Sequence, residues 1–224
     1  MYSIIIPVFN EASLLPKLLE KLNIYSTEGN EIIIIDDGST DNSKSILSKF
    51  PNYKIFFSEN NFGKGSAISR GLKYASFEKI IIFDGDLELD PSDISKLMIL
   101  EENNITCVLG FRDVSFFPPK SFLDLGNFLF TTFFNFLHKC KHKDILCCAK
   151  AFFYSELKNY KLQSSGFDID LEIASILSKD KKKIMHVPLK YKRRSINEGK
   201  KLRISDGWKI LIMMIKFKFK NILT

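Results

Sequence analysis

The chain has 224 residues, with 33 Lys and Arg, 26 Asp and Glu, and 45% hydrophobic side chains. That balance describes one folded globular domain and excludes a disordered or collagen-like chain. No apolar run approaches the about 20 residues of a membrane-spanning helix, and the opening MYSIIIPVFNEAS lacks the basic region and cleavage site of a signal peptide, so neither is expected.

In chain order, Ser3–Val8 reads as a buried strand, followed by a helix with Leu14, Leu15, Leu18, Leu19 and Leu22 on one face. Glu31–Asp36 is a second strand that ends in Asp37-Gly38-Ser39-Thr40-Asp41, and a helix is expected from about Asn42 to Phe50. Lys54–Ser58 is a third strand, Gly63–Ala75 a helix with Ile68, Leu72 and Ala75 inward, and Lys79–Phe83 a fourth strand running into Asp84-Gly85-Asp86. Continuous β-branched runs, rather than alternating ones, mark strands covered on both faces. Their alternation with helices predicts a mostly parallel, doubly wound α/β sheet with helices on both faces.

Beyond residue 105 the expected elements are a strand at Thr106–Gly110, an uncharged Phe-rich stretch at Leu125–Leu137, a helix over 168–179, a strand at Ile184–Tyr191 and a basic, apolar-rich helix from Gly207. The Phe-rich stretch suits an ordinary buried helix, or else an apolar acceptor groove. Cys107, Cys140, Cys147 and Cys148 form no CxxC pattern, so reduced thiols are expected. His138, His142 and His186 match no ligand spacing and read as surface or structural. Residues 181–224 hold 11 Lys and 3 Arg against Glu198 and Asp206, a net of +12, which leaves −5 on residues 1–180. A basic tail on an acidic body asks for an anionic partner: nucleic acid, a phosphate-bearing substrate or a membrane surface.

Polar residues collect where the first four strands end: Asn10 and Glu11; Asp36 and Asp37; Asn60, Asn61, Gly63, Lys64 and Gly65; Asp84, Asp86 and Glu88. Ligands of doubly wound sheets bind at those ends. Any one cluster is explained by turn and capping chemistry, but four together point to a site. Asp84-x-Asp86 sets two carboxylates at a strand end, a donor set for Mg²⁺ or Mn²⁺, which bridges diphosphate oxygens. Asn61-Phe62-Gly63-Lys64-Gly65 resembles a phosphate loop at a helix start, and a plain glycine turn explains it equally well.

The strings IIIPVFNEASLLPKLL, IIIIDDGSTDNS, NNFGKGSAISRGL and IIIFDGDLELDP together resemble the inverting glycosyltransferases of family 2. Gly110-Phe111-Arg112, Gly126-Asn127, Asp144–Lys150, Gly166–Glu172 and Arg194–Lys201 resemble more narrowly the subgroup of dolichyl-phosphate mannose synthase. The resemblance implies a GT-A fold and a UDP- or GDP-linked sugar donor. It also implies a polyprenyl (dolichyl or undecaprenyl) phosphate acceptor and Mg²⁺ or Mn²⁺ at Asp84 and Asp86, with Glu88 on the metal side. It divides the single domain into a donor half (1–112), an acceptor half (113–206) and an amphipathic tail (207–224). Pro7, Phe9, Glu11, Asp37, Gly63 and Lys64 are expected to bind the donor. Arg194 and Lys200 are expected on its diphosphate, and Arg112 on the acceptor phosphate or the donor diphosphate. Relatives often carry a second acceptor-binding Arg, for which Lys120 is the only nearby basic candidate. The pattern of processive members, QxxRW, is absent.

A lipid-phosphate oxygen needs no strong base, so positioning and charge neutralisation would carry transfer, with Asp86 and Arg112 central. A sugar-hydroxyl acceptor would need a carboxylate base, Asp144 ahead of Asp170 and Glu172. The basic tail, with Lys209, Lys216, Lys218 and Lys220 among Trp208, Ile210, Phe217 and Phe219, suits an anionic membrane interface. An enzyme peripheral at the cytoplasmic face of a membrane is therefore expected, with an anchoring protein as a candidate partner, and nucleic acid is not the expected partner. The alternatives are transfer to a soluble or lipid-linked glycan, and a nucleic-acid-binding module, which would not explain the strand-end clusters.

Overall fold

A computed structural model describes residues 1–113, 122–179, 183–194 and 206–219. Seven strands form one sheet: β1 (Ser3–Val8), β2 (Glu31–Asp36), β3 (Lys54–Phe57), β4 (Lys79–Ile82), β5 (Cys107–Arg112), β6 (Lys150–Phe153) and β7 (Ile184–Leu189). Their order across the sheet is β3-β2-β1-β4-β6-β5-β7. β1 pairs in parallel with β2 and β4, β2 with β3, and β5 with β7, while β6 runs antiparallel between β4 and β5. The GT-A-like, mostly parallel α/β architecture expected from the sequence is therefore present.

The helices are α1 (Leu15–Thr27), α2 (Ser43–Leu47), α3 (Lys64–Tyr74), α4 (Phe122–His138), α5 (Ser155–Lys158), α6 (Ile169–Leu177) and α7 (Asp206–Phe219). Successive side chains of a strand point to opposite faces, and the apolar runs feed two cores accordingly. Ile4, Ile6 and Val8 of β1 belong to one core with the apolar face of α1, whereas Ile5 belongs to a second core that also holds Ile68 of α3, Phe134 of α4 and the apolar residues of α6. Full burial on both faces is why these strands read as unbroken Ile and Val rather than as alternation.

Several boundaries differ from expectation. The second helix is only Ser43–Leu47, and β7 ends at Leu189, with Tyr191 forming a lone bridge to Leu89. β6 was not foreseen, because Lys150-Ala151-Phe152-Phe153 carries a charge at its start and is only four residues long. The tail helix is integral to the fold: α7 packs against α4 and α6 and buries Ile210, Met214 and Phe217. α4 is only partly buried. Phe134 is fully buried, while Leu129 and Phe136 are 55% and 82% exposed. No helix among the described residues is long and apolar enough to cross a membrane.

Candidate active site

The chain runs β1, β2, β3 toward one edge and then returns to place β4 on the other side of β1. The carboxyl ends of β1 and β4 therefore flank the switch in strand order, where doubly wound sheets bind ligands. A cleft of about 420 Å³ opens there. It gathers Pro7, Phe9, Glu11, Asp37, Gly63, Lys64, Asp84, Asp86, Glu88, Arg112 and Arg194 from positions scattered over almost the whole chain. Asn127, Leu146, Phe167, Asp170 and Ile210 complete its lining. Lys120 and Lys200 lie outside the described residues, as do the side chains of Trp208, Lys209 and Phe219 and residue Lys220.

Within the cleft, Asp37 accepts hydrogen bonds from the Phe62 and Gly63 amides at 3.1 and 2.7 Å. Burial nevertheless raises its pKa above the ordinary value. Gly63 is needed at this turn. Its φ is +95°, and a Cβ would stand 2.3 Å from the Ser165 carbonyl oxygen. The Gly65 amide donates to that same oxygen at 2.7 Å, so the loop before α3 is sewn to the loop before α6.

Lys64 lies at the floor of the cleft. Its ammonium donates to Asp84 Oδ2 at 2.8 Å and to Asp170 Oδ2 at 2.7 Å. Burial alone would lower its pKa, but Asp170 and then Asp84 outweigh burial and raise it well above the ordinary lysine value. Asp84 Oδ1 is buried without a hydrogen-bond partner among the described residues. Burial, then the neighbouring Asp84 charge, pushes the Asp86 carboxyl up to about 7. An orphaned carboxylate oxygen beside a carboxylate held near neutrality is an oxygen donor set short of positive charge, which fits a hard divalent cation.

Glu88 is placed otherwise than expected. Its carboxylate accepts from the Arg194 amide at 2.9 Å and the Tyr191 hydroxyl at 3.2 Å. It thus ties the segment after β7 to the end of β4. Among the described residues no three His, Cys, Asp or Glu side chains are arranged to hold a metal ion, so the expected Asp84–Asp86–Glu88 trio does not form a three-carboxylate cage. Arg194 reaches into the cleft and pairs with Glu11 Oε1 at 3.0 Å.

Arg112 grips Asp144 in a bidentate pair, Nε to Oδ2 at 2.6 Å and Nη2 to Oδ1 at 2.7 Å. Asn127, with its amide oxygen turned toward the guanidinium, accepts from Nη2 and Nη1 at 3.2 and 3.3 Å. The Asp144 side chain is fully buried behind Arg112 and does not line the cleft, which corrects its expected place as a base over the acceptor. Asp170 is spoken for by Lys64, and Glu172 accepts from the Gln163 and Ser164 amides at 2.8 to 3.1 Å, so it shapes a loop. Tyr191 and Arg193 escaped sequence reading. The Arg112 and Arg193 guanidinium carbons lie 5.4 and 6.0 Å from the Tyr191 ring, and Arg193 also pairs with Asp124 of α4. The expected structural histidines are structural: His142 is buried and joins His186 at 3.1 Å and Ser178 at 2.6 Å.

Comparison with known proteins agrees with this geometry. An uncharacterized protein of Methanocaldococcus jannaschii is 29% identical over 214 residues, covering 86% of this chain and 90% of that protein. An undecaprenyl-phosphate 4-deoxy-4-formamido-L-arabinose transferase of Yersinia enterocolitica is 36% identical over 114 residues, 47% of this chain and only 35% of the relative. The chain thus matches about a third of that transferase's length. Among solved structures, glucosyl-3-phosphoglycerate synthase of Mycobacterium tuberculosis, in complex with Mn²⁺, UDP and phosphoglyceric acid, superposes with a TM-score of 0.74 at 16% identity, covering 98% of this chain and 78% of that one. The profile described as Glycosyl transferase family 2 matches residues 3–161. With that match spanning most of the chain and the strand-end carboxylates gathered in one cleft, the protein belongs to glycosyl transferase family 2.

Proposed function

We propose that the protein transfers a sugar, with inversion, from a nucleotide-sugar to the phosphate of a polyprenyl phosphate, assisted by a divalent cation. The observation that carries the acceptor assignment is the make-up of the cleft lining. There the guanidinium of Arg112, fixed by Asp144, shares the cleft with the apolar side chains of Leu146, Phe167 and Ile210. A phosphate followed by an apolar chain matches one strong cation beside apolar surface. The polyprenyl-phosphate transferase among the relatives supports the same class of acceptor.

In this reading Pro7, Phe9, Glu11 and Asp37 hold the nucleoside, and Gly63 shapes the loop beneath it. Lys64 and Arg194 neutralise the diphosphate, with Lys200 as a further candidate. Asp84 and Asp86 hold the cation, which supplies charge stabilisation on the departing diphosphate when bound. Mn²⁺ with UDP in the structural neighbour supports a divalent ion here, Mg²⁺ serving equally in principle. Glu88 orients the 191–194 segment rather than the ion. Arg112 holds the acceptor phosphate in line, its plane fixed by Asp144 and Asn127, and Lys120 is a candidate second contact. An acceptor phosphate is already anionic near pH 7, so none of Asp144, Asp170 or Glu172 is needed as a base.

The approach to a bilayer would run along α4 and α7. Leu125, Phe128, Leu129 and Phe136 form an exposed stripe on α4, while α7 exposes Ile212 and Ile215 beside Lys216 and Lys218. Apolar side chains interleaved with lysines suit an anionic membrane interface at the cytoplasmic side, where nucleotide sugars are found. An additional anchoring protein is compatible with this arrangement.

The test is incubation with undecaprenyl or dolichyl phosphate, Mg²⁺ or Mn²⁺, and a panel of radiolabelled UDP- and GDP-sugars. Label extracted into organic solvent is expected. Label passing only to a soluble phosphorylated acceptor or a glycan would sink the lipid assignment.

A further inference from the structure

Lys150 is a lysine with no access to the cleft, 2% exposed, at the start of the antiparallel strand β6. Burying an ammonium is strongly unfavourable unless it is paired and hydrogen-bonded. Its Nζ donates to the Cys147 carbonyl and lies 3.6 Å from Asp170 Oδ1. Asp170, on α6, holds Lys64 of α3 with its other oxygen, and Lys64 holds Asp84 at the end of β4. Four alternating charges thus connect the buried Lys150 and Asp170 to Lys64 and Asp84, which line the cleft. Burial works against ionisation of Asp170, but Lys64 and then Lys150 outweigh it and hold its pKa below the ordinary value.

We propose that Lys150 is a positioning residue that sets how firmly Lys64 grips Asp84. Asp170 divides its charge between two lysines. With Lys150 in place it draws Lys64 only partly, and the ammonium keeps Asp84 Oδ2 occupied while Oδ1 stays open. Without Lys150, Asp170 draws Lys64 toward itself and Asp84 is released. Without both Lys150 and Asp170, Lys64 belongs to Asp84 alone. Lys64 is therefore a resident cation competing with any divalent ion for Asp84, and Lys150 tunes that competition from behind the site. This rests on the reading of Asp84 and Asp86 as cation ligands.

Mn²⁺ binding to the donor-free protein, followed by the loss of free-Mn²⁺ electron paramagnetic resonance signal, tests it. Lys150→Met is expected to tighten Mn²⁺ binding by about threefold or more. Lys150→Met/Asp170→Asn, which leaves the net charge unchanged, is expected to weaken Mn²⁺ binding below wild type. Opposite signs are the signature. A merely structural lysine would loosen the site in both, and a simple net-charge effect would leave the double variant unchanged; either result overturns the proposal. The double variant leaves no uncompensated buried charge and keeps the test open should Lys150→Met fail to fold.

A second measurement does not involve the ion. Because Lys64 and Lys150 share Asp170 without being paired with each other, melting-temperature losses in Lys64→Met and Lys150→Met should be non-additive. The combined variant should lose several degrees more than the sum. Additive losses overturn the proposal whatever Mn²⁺ does. Absence of Mn²⁺ binding in the wild type, alongside non-additive melting, would overturn only the cation reading and leave the coupling of Lys150 to Lys64 standing.

Discussion

The guanidinium of Arg112 and the carboxylate of Asp144 meet in two nearly parallel hydrogen bonds of 2.6 and 2.7 Å, with Asp144 behind and Arg112 facing the cleft. The pair divides labour: one partner faces the cleft and the other fixes its plane. Asp144→Asn leaves a largely buried cation without its counter-charge, so it is expected to cost about 3 kcal/mol of stability. Arg112→Lys should lose most transfer, because a lysine cannot reproduce the planar two-pronged grip. Chemical denaturation and steady-state kinetics check both. Full stability of Asp144→Asn with total loss of turnover would instead favour a base.

Asp86 gives a pH signature in cation-free buffer. Its folded pKa, about 7, is raised above the ordinary carboxylate value by burial and by Asp84. The folded form thus prefers the proton, and that preference favours folding at low pH and is lost as pH rises through about 7. Asp86→Asn removes the penalty. It is expected to raise the melting temperature at pH 8 by about 4 °C or more, while abolishing cation-dependent transfer. Calorimetry with a chelator present, and transfer assays with Mn²⁺, are the measurements.

His142 predicts the opposite trend at lower pH. Burial first, and His186 next, depress its pKa to about 4. The folded protein therefore keeps it neutral while the unfolded chain takes up a proton near its ordinary value. The stability contribution is present above about 6.5 and lost as pH falls toward 4. Melting temperature should fall across that window, and more gently in His142→Gln. Identical slopes in the two proteins would remove His142 from the account.

The α4 stripe predicts membrane behaviour. Replacing Leu129 and Phe136, 55% and 82% exposed, by Ser should lower affinity for phosphatidylglycerol vesicles by about tenfold or more through lost apolar contact. Melting temperature should stay within about 2 °C, since neither side chain is in the core. Vesicle sedimentation checks the first outcome and calorimetry the second. Unchanged sedimentation would move the membrane contact elsewhere.

Much of the site was legible because it sits where periodic strands stop. The runs Ile4-Ile5-Ile6, Ile32–Ile35 and Ile80–Ile82 announce buried parallel strands, and Asp37 and Asp84 stand just beyond two of their ends. Residues whose roles depend on partners far along the chain were not legible in the same way. Glu88 looks like a third metal ligand from its spacing, yet its oxygens are taken by Tyr191 and Arg194, over a hundred positions away. Asp144 looks like a base until Arg112 closes over it.

The amino-acid sequence by itself determined the parallel N-terminal half and its strand-end carboxylates, because hydrophobic periodicity and local turn chemistry act over a few residues. It also determined the uneven charge. Only the tertiary structure decided which charges pair. β6 is inserted antiparallel between β4 and β5, and α6 packs beneath α3. Those two placements carry Lys150 and Asp170 to Lys64 and Asp84, and a buried charge takes its function from whichever opposite charge the fold places within a few ångströms of it.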